Sequence, residues 1–122
     1  MAALRVLFVD DEEELVSTVV ERLELRGIDA TGAMSGEEAL TRIEEQPFDV
    51  VVLDVRMPGL GGFDVIKRIK QSHPDLEVIL LSGHGAMEAA ETGLRLGAFD
   101  YLQKPVDLED LIAILHRATG RG

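Results

Sequence analysis

Cysteine is absent from the 122 residues, which excludes a disulfide framework and any thiolate-bound metal. No apolar run approaches the roughly 20 residues needed to cross a bilayer. The N-terminal stretch MAALRVLFVDD lacks a basic leading region and a cleavage site, unlike a signal peptide, and runs straight into acids. These absences predict a cytoplasmic protein with no membrane contact. Positive charge is scarce: 12 basic residues face 23 acidic ones, for a formal net charge of -11. Such a surface repels phosphate backbones, so direct nucleic-acid binding is not expected. Internal repeats and low-complexity tracts are missing too. What remains is a chain of single-domain length, 46% hydrophobic. At that length it can bury about two thirds of the surface its unfolded form exposes.

Apolar periodicity predicts five strands alternating with five helices. Leu4 to Val9 reads as the first strand. Asp10-Asp11 follows, then a helix with Leu15, Val16, Val19, Val20 and Leu23 on one face, ended by Gly27. Ile28 to Ala33 is a more polar strand, suited to an edge. Ser35 and Glu38 form a capping-box pattern ahead of a helix carrying Ala39, Leu40 and Ile43, which stops before Pro47. Val50 to Leu53 is a short apolar run of the kind buried on both faces. Phe63, Ile66 and Ile69 mark a helix that ends near His73-Pro74. Leu76 to Leu81 is the fourth strand, followed by a turn at Ser82-Gly83-His84-Gly85. Ala86 to Leu96 reads as a helix weakened by Gly93 and closed by Gly97. Phe99 to Leu102 is a short fifth strand broken by Lys104-Pro105. Asp107 caps a last helix with Leu108, Leu111, Ile112 and Leu115 as its buried stripe. Strict alternation of this kind predicts an α/β fold: a doubly wound parallel sheet with helices on both faces and right-handed crossovers.

In such a sheet the ligand site lies at the C-terminal strand ends. The residues there are Asp10 and Asp11, then Asp54, Ser82 and Lys104. Asp54 closes the central apolar strand. Pro58 disfavours helical geometry at Met57, and the glycines behind it favour a loop, so Asp54 is not expected to be a helix cap. Taken singly, Asp10 or Asp11 reads equally well as a cap of the first helix. Glu12, Glu13 and Glu14 read as a favourable first turn against the helix dipole. Ser82 alone reads equally well as a turn residue, and solvation is the lesser reading of Lys104 alone. Together they are harder to attribute to accident. Three clustered carboxylates repel, and a hard divalent cation relieves them. Mg2+ takes oxygen ligands and commonly shares them with a phosphate. Zn2+ fits less well, because no histidine stands at ligand spacing and His84 reads as a solvated loop residue. Aspartate can accept a phosphoryl group covalently, and transfer depends mainly on positioning and charge. Asp54 is then the candidate nucleophile, with Lys104 and Ser82 directed at the phosphoryl oxygens.

The segments VLFVDDEEE (6–14), VVVLDVRMPGLGGFDVI (50–66), LLSGHG (80–85) and GAFDYLQKPVD (97–107) together resemble the receiver (response regulator) domain of two-component signalling. The resemblance covers essentially the whole chain, with 1–119 as the domain and 120–122 as a frayed tail or the start of a linker. It implies a flavodoxin-like fold of five parallel strands in the order 2-1-3-4-5. It implies Mg2+ (or Mn2+) held by Asp10, Asp11, Asp54 and the backbone carbonyl of Arg56, with Asp11 a direct ligand and Asp10 acting partly through water. Asp54 would be the phosphoacceptor, Ser82 and Tyr101 the switch pair, and the Lys104-Pro105 bond cis. A histidine kinase or histidine phosphotransfer protein would donate the phosphoryl group. The output would be a protein or domain not in this chain, reached through the surface of the fourth helix, fifth strand and fifth helix. The domain would be a monomer or a phosphorylation-dependent dimer. The SGHG and AFDYLQKP segments look most like receivers attached to ATPase-type transcription activators or to hybrid kinases. Arg56 and His84 occupy positions that tune dephosphorylation in the family, and their bulk suggests a long-lived phospho-form. The protein would not turn over external substrates as an enzyme.

Three other readings compete. A haloacid-dehalogenase-type phosphatase needs an acid two residues after the nucleophile, where Arg56 stands. A flavodoxin-like cofactor binder needs a glycine- and hydroxyl-rich loop where Asp10-Asp11-Glu12 stands. A receiver-like interaction module that is never phosphorylated shares the fold but not the chemistry.

Overall fold

A computed structural model describes residues 3–83 and 87–120. Five strands alternate with five helices: β1 (Arg5–Val9), α1 (Glu13–Leu25), β2 (Asp29–Ala33), α2 (Gly36–Glu45), β3 (Val50–Asp54), α3 (Gly62–Ser72), β4 (Glu77–Ser82), α4 (Met87–Arg95), β5 (Asp100–Gln103) and α5 (Leu108–Thr119). The strands form one sheet in the order β2-β1-β3-β4-β5, and every pairing is parallel. All five C-terminal strand ends therefore lie on one edge.

The two-residue period of a strand sends successive side chains to opposite faces. Val6 and Phe8, Val50 and Val52, and Ile79 and Leu81 join a core with the buried faces of α1 and α5. Their neighbours Leu7 and Val9, Val51 and Leu53, and Val78 and Leu80 join a second core with those of α2 and α3. β1, β3 and β4 are covered on both sides, which is why their sequences read as apolar runs rather than alternations.

Local chemistry sets the helix ends. Ser35 Oγ accepts a hydrogen bond from the Glu38 N–H at 3.0 Å. Glu38 Oε1 in turn accepts from Met34 N–H at 2.7 Å, one residue further back than a capping box usually reaches. Asp107 Oδ1 accepts from Asp110 N–H at 3.0 Å and opens α5. Gly120, at φ 70°, closes α5 in the left-handed conformation that glycine adopts without steric cost.

Several details depart from the periodicity. β5 begins at Asp100, not Phe99, whose side chain is partly exposed. In α5 Ile112 is half-buried, and the fully covered stripe is Leu111, Ile114, Leu115 and Ala118. In α3 Val65 is buried while Phe63 is half-buried. In α1 Leu15 and Val20 lie at the margin of the core. The β5 start follows from its pairing with Ile79, and each helix difference from an apolar stripe about 100° wide, which favours whichever residues face the sheet once the helix has docked. The His84-Gly85 part of the expected turn, the Ala86 helix start and the Arg121-Gly122 tail lie outside the described residues.

Candidate functional site

The sheet's C-terminal edge gathers the expected residues. Asp10 follows β1 and is fully buried. Its backbone N–H donates to Ala33 O at 3.1 Å, and its Oδ1 accepts from Glu12 N–H at 3.0 Å. Neither Asp10 nor Asp11 is the N-cap of α1. Glu12 takes that position and makes no side-chain cap. Asp11 is exposed. Asp54 ends β3 and is 5% exposed. Its Oδ1 accepts from Arg56 N–H at 3.1 Å, the turn that replaces helix initiation here. Ser82 ends β4, buried, and its carbonyl accepts from Lys104 N–H at 2.8 Å. The Lys104–Pro105 peptide bond is cis.

One ammonium binds three acids. Lys104 Nζ lies 2.8 Å from Asp10 Oδ2, 3.2 Å from Asp54 Oδ2 and 3.4 Å from Glu12 Oε1. The Asp10 contact is the shortest of the three. Lys104 is the one partner of Asp10 Oδ2 among the described residues, and it reaches that oxygen as an ion pair. The Glu12 contact was not legible as such, because Glu12 reads as part of an acidic first turn. Only the reach of the Lys104 side chain, from the end of β5 to the loop after β1, shows it.

Electrostatics follow from this sharing. Burial pushes the Asp54 carboxyl up from the usual range; the Arg56 N–H opposes it, the Asp10 charge adds to it, and Lys104 opposes it. Burial alone would lower the Lys104 ammonium, but Asp10 and Asp54 outweigh it and hold the group well above its usual value. The two directions agree physically. A single lysine divided between two carboxylates stays charged but does not cancel the cost of burying both.

Asp10, Asp11 and Asp54 each offer a carboxylate oxygen, and the three oxygens lie within 4.8 Å of one another. The donors are all hard carboxylate oxygens, and Asp10 and Asp54 are buried. That set fits Mg2+ or Mn2+ rather than a softer metal. Tyr101 sits apart from the cluster, half-buried in β5, paired in register with Leu80 and packed on the α2–α3 core. His84 lies outside the described residues. A broad groove lined by Gln46 to Asp49 and Ser72 to Leu76 lies at the opposite edge of the sheet, remote from these acids.

Fold and site together define a doubly wound α/β domain with an acidic, lysine-bridged pocket at the strand order's switch point. A sequence model of the "response regulator receiver domain" matches residues 6–116, and this chain belongs to that family. It is 38% identical over 114 residues to the DNA-binding transcriptional regulator NtrC of Salmonella typhimurium, covering 93% of this chain and 24% of that protein. It is 37% identical over 120 residues to a putative NtrX-like response regulator of Rickettsia typhi, covering 97% and 25%. The chain thus spans about a quarter of the length of these relatives. The receiver domain of NtrX from Brucella abortus superposes with a TM-score of 0.89 at 34% identity, covering 96% of this chain and 99% of that one. A longer NtrX chain from the same organism, solved in complex with ATP, is covered to 27%.

Proposed function

We propose that this receiver domain is a phosphorylation-dependent switch with Asp54 as its phosphoacceptor. The observation that carries this reading is the convergence of three carboxylates and one shared ammonium around a buried aspartate. Asp10, Asp11, Asp54 and the Arg56 carbonyl would hold Mg2+ or Mn2+. The bound ion would neutralise phosphoryl oxygens as charge spreads over them during transfer.

The chain's own residues do the rest. An Asp54 carboxylate oxygen attacks the phosphorus of a partner phosphohistidine. The P–N bond breaks, and the histidine leaves as imidazole, taking up a proton. Lys104, already charged and 3.2 Å from Asp54 Oδ2, turns to the new oxygens. Ser82, at the end of the neighbouring strand, donates its hydroxyl to another. Tyr101 then moves inward beside β4, and the face of α4, β5 and α5 changes. The donor is a histidine kinase or a histidine phosphotransfer protein. The output is a protein or domain of the kind that NtrC and NtrX carry beyond the quarter matched here. We assign residues 1–119 to the domain and place it in the cytoplasm, as a monomer or a phosphorylation-dependent dimer.

Incubation with acetyl phosphate and Mg2+, read by intact mass, tests the reading. One added phosphoryl group is expected in the wild type and none in Asp54→Asn. An unlabelled wild type would leave an interaction module that is never phosphorylated. The exposed Arg56 side chain would shield the acyl phosphate, so the phospho-form should be long-lived. Decay within seconds after removal of acetyl phosphate would contradict that shielding.

A further inference from the structure

The Asp54 carboxylate is oriented from one side by Arg56, whose N–H donates to Oδ1 at 3.1 Å. Arg56 belongs to the loop 55–61, which has no regular structure and carries Pro58, Gly59 and Gly61. Two glycines outside that loop seat it. Gly62 opens α3 and donates its N–H to Val55 O at 3.2 Å. A Cβ on Gly62 would stand 2.7 Å from Asp54 O and 2.8 Å from Val55 Cα. Gly36 opens α2 beneath the other end of the loop. A Cβ there would stand 2.6 Å from Leu60 O and 2.7 Å from Val65 Cγ2. Backbone atoms have no rotamer by which to retreat, so a methyl at either position displaces the loop. Between the two contacts Met57 is buried, which pins the middle. A Cβ on Gly61, next to Gly62, meets nothing within 4 Å. Small size is therefore required at 36 and 62, not along the whole glycine-rich stretch.

We infer that Gly36 is a positioning residue for Asp54. It acts through Leu60 and the four-residue path back to Arg56, and it belongs to a helix that contributes nothing else to the pocket. The inference rests on the reading of the Asp10–Asp11–Asp54 cluster as a divalent-cation site. Adding a methyl at 36 lifts Leu60, shifts the Arg56 N–H and releases Asp54 Oδ1 from its present direction. The carboxylate oxygens then no longer converge.

The test is a Mn2+ titration followed by water-proton relaxation, with melting by far-UV circular dichroism on the same samples. Gly36→Ala should bind Mn2+ about tenfold more weakly, the scale found when support of a metal ligand is lost, while Gly61→Ala stays within about twofold of wild type. The Arg56 amide resonance should move in Gly36→Ala and not in Gly61→Ala. A folded Gly36→Ala with wild-type affinity overturns the inference, and so does equal weakening in Gly61→Ala. If Gly36→Ala does not fold, Gly36→Ala with Val65→Ala removes the side-chain contact and keeps the Leu60 carbonyl contact. Weakened binding in that double variant supports the seat, and unchanged binding overturns it. A wild type that binds no Mn2+ refutes the cation site itself, a separate failure seen before any variant is compared.

Discussion

Removing the Lys104 ammonium should make the metal-free protein less stable and more responsive to metal. The ammonium lies within 3.4 Å of three carboxylates, two of them buried. Breaking a buried ion pair by deleting one partner costs roughly 3–5 kcal/mol, because the remaining charge is left uncompensated. Lys104 retains 22% exposure of its side chain, so water softens the loss. About 2–3 kcal/mol is the expected cost of Lys104→Ala, or a fall of about 10 °C in Tm for a domain of this size. A divalent cation refills the same space without competing with a tethered charge. Affinity should equal or exceed wild type, and a metal concentration a hundredfold above Kd returns about 2.7 kcal/mol. The pH dependence has a definite sign. Asp54 already has a folded-state pKa raised by burial, and losing the lysine raises it further. An acid raised in this way loses stability as pH climbs through its folded value. The deficit of Lys104→Ala should therefore be larger at pH 8 than at pH 5.5. Thermal melts of wild type and variant, at both pH values, with and without Mg2+, measure all of this. A variant as stable as wild type at pH 8 without metal, or one less stabilised by Mg2+, would refute the reasoning.

Other expectations can be checked alongside. Asp54→Asn removes a buried charge and keeps a hydrogen-bond acceptor for Arg56. It should raise metal-free stability by about 1 kcal/mol at pH 8, with a gain that shrinks as pH falls, read as a denaturant midpoint. Ser35→Ala deletes the cap of α2 and should cost about 1 kcal/mol in a urea melt with an unchanged m-value. Phe8, fully buried in the α1–α5 core, should cost about 3–5 kcal/mol as Phe8→Ala, and an effect under 1 kcal/mol would contradict its placement.

Much of this architecture was legible because its causes are local. The apolar runs at Val50 to Leu53 and Leu76 to Leu81 declare strands covered on both faces. Ser35 with Glu38, and Asp107 ahead of its helix, declare where helices begin. Strict alternation implies parallel pairing, and parallel pairing places Asp10, Asp54, Ser82 and Lys104 on one edge. Less was legible where docking decides. Ile112 and Ile114 are chemically alike, and only the rotation of α5 against the sheet chooses Ile114 for the interior. The β5 start slid by one residue for the same reason, since its pairing with Ile79 sets the register.

The pocket divides in the same way. Residue types and order along the chain determined that three acids, a hydroxyl and an ammonium end up at one sheet edge, because topology follows from pattern. The tertiary structure decided how they share charge. It put one ammonium between Asp10, Asp54 and Glu12 and set the Arg56 loop on Gly36, a residue with no chemistry of its own. Those outcomes depend on distances of a few tenths of an ångström between elements far apart in the chain, which no local pattern encodes.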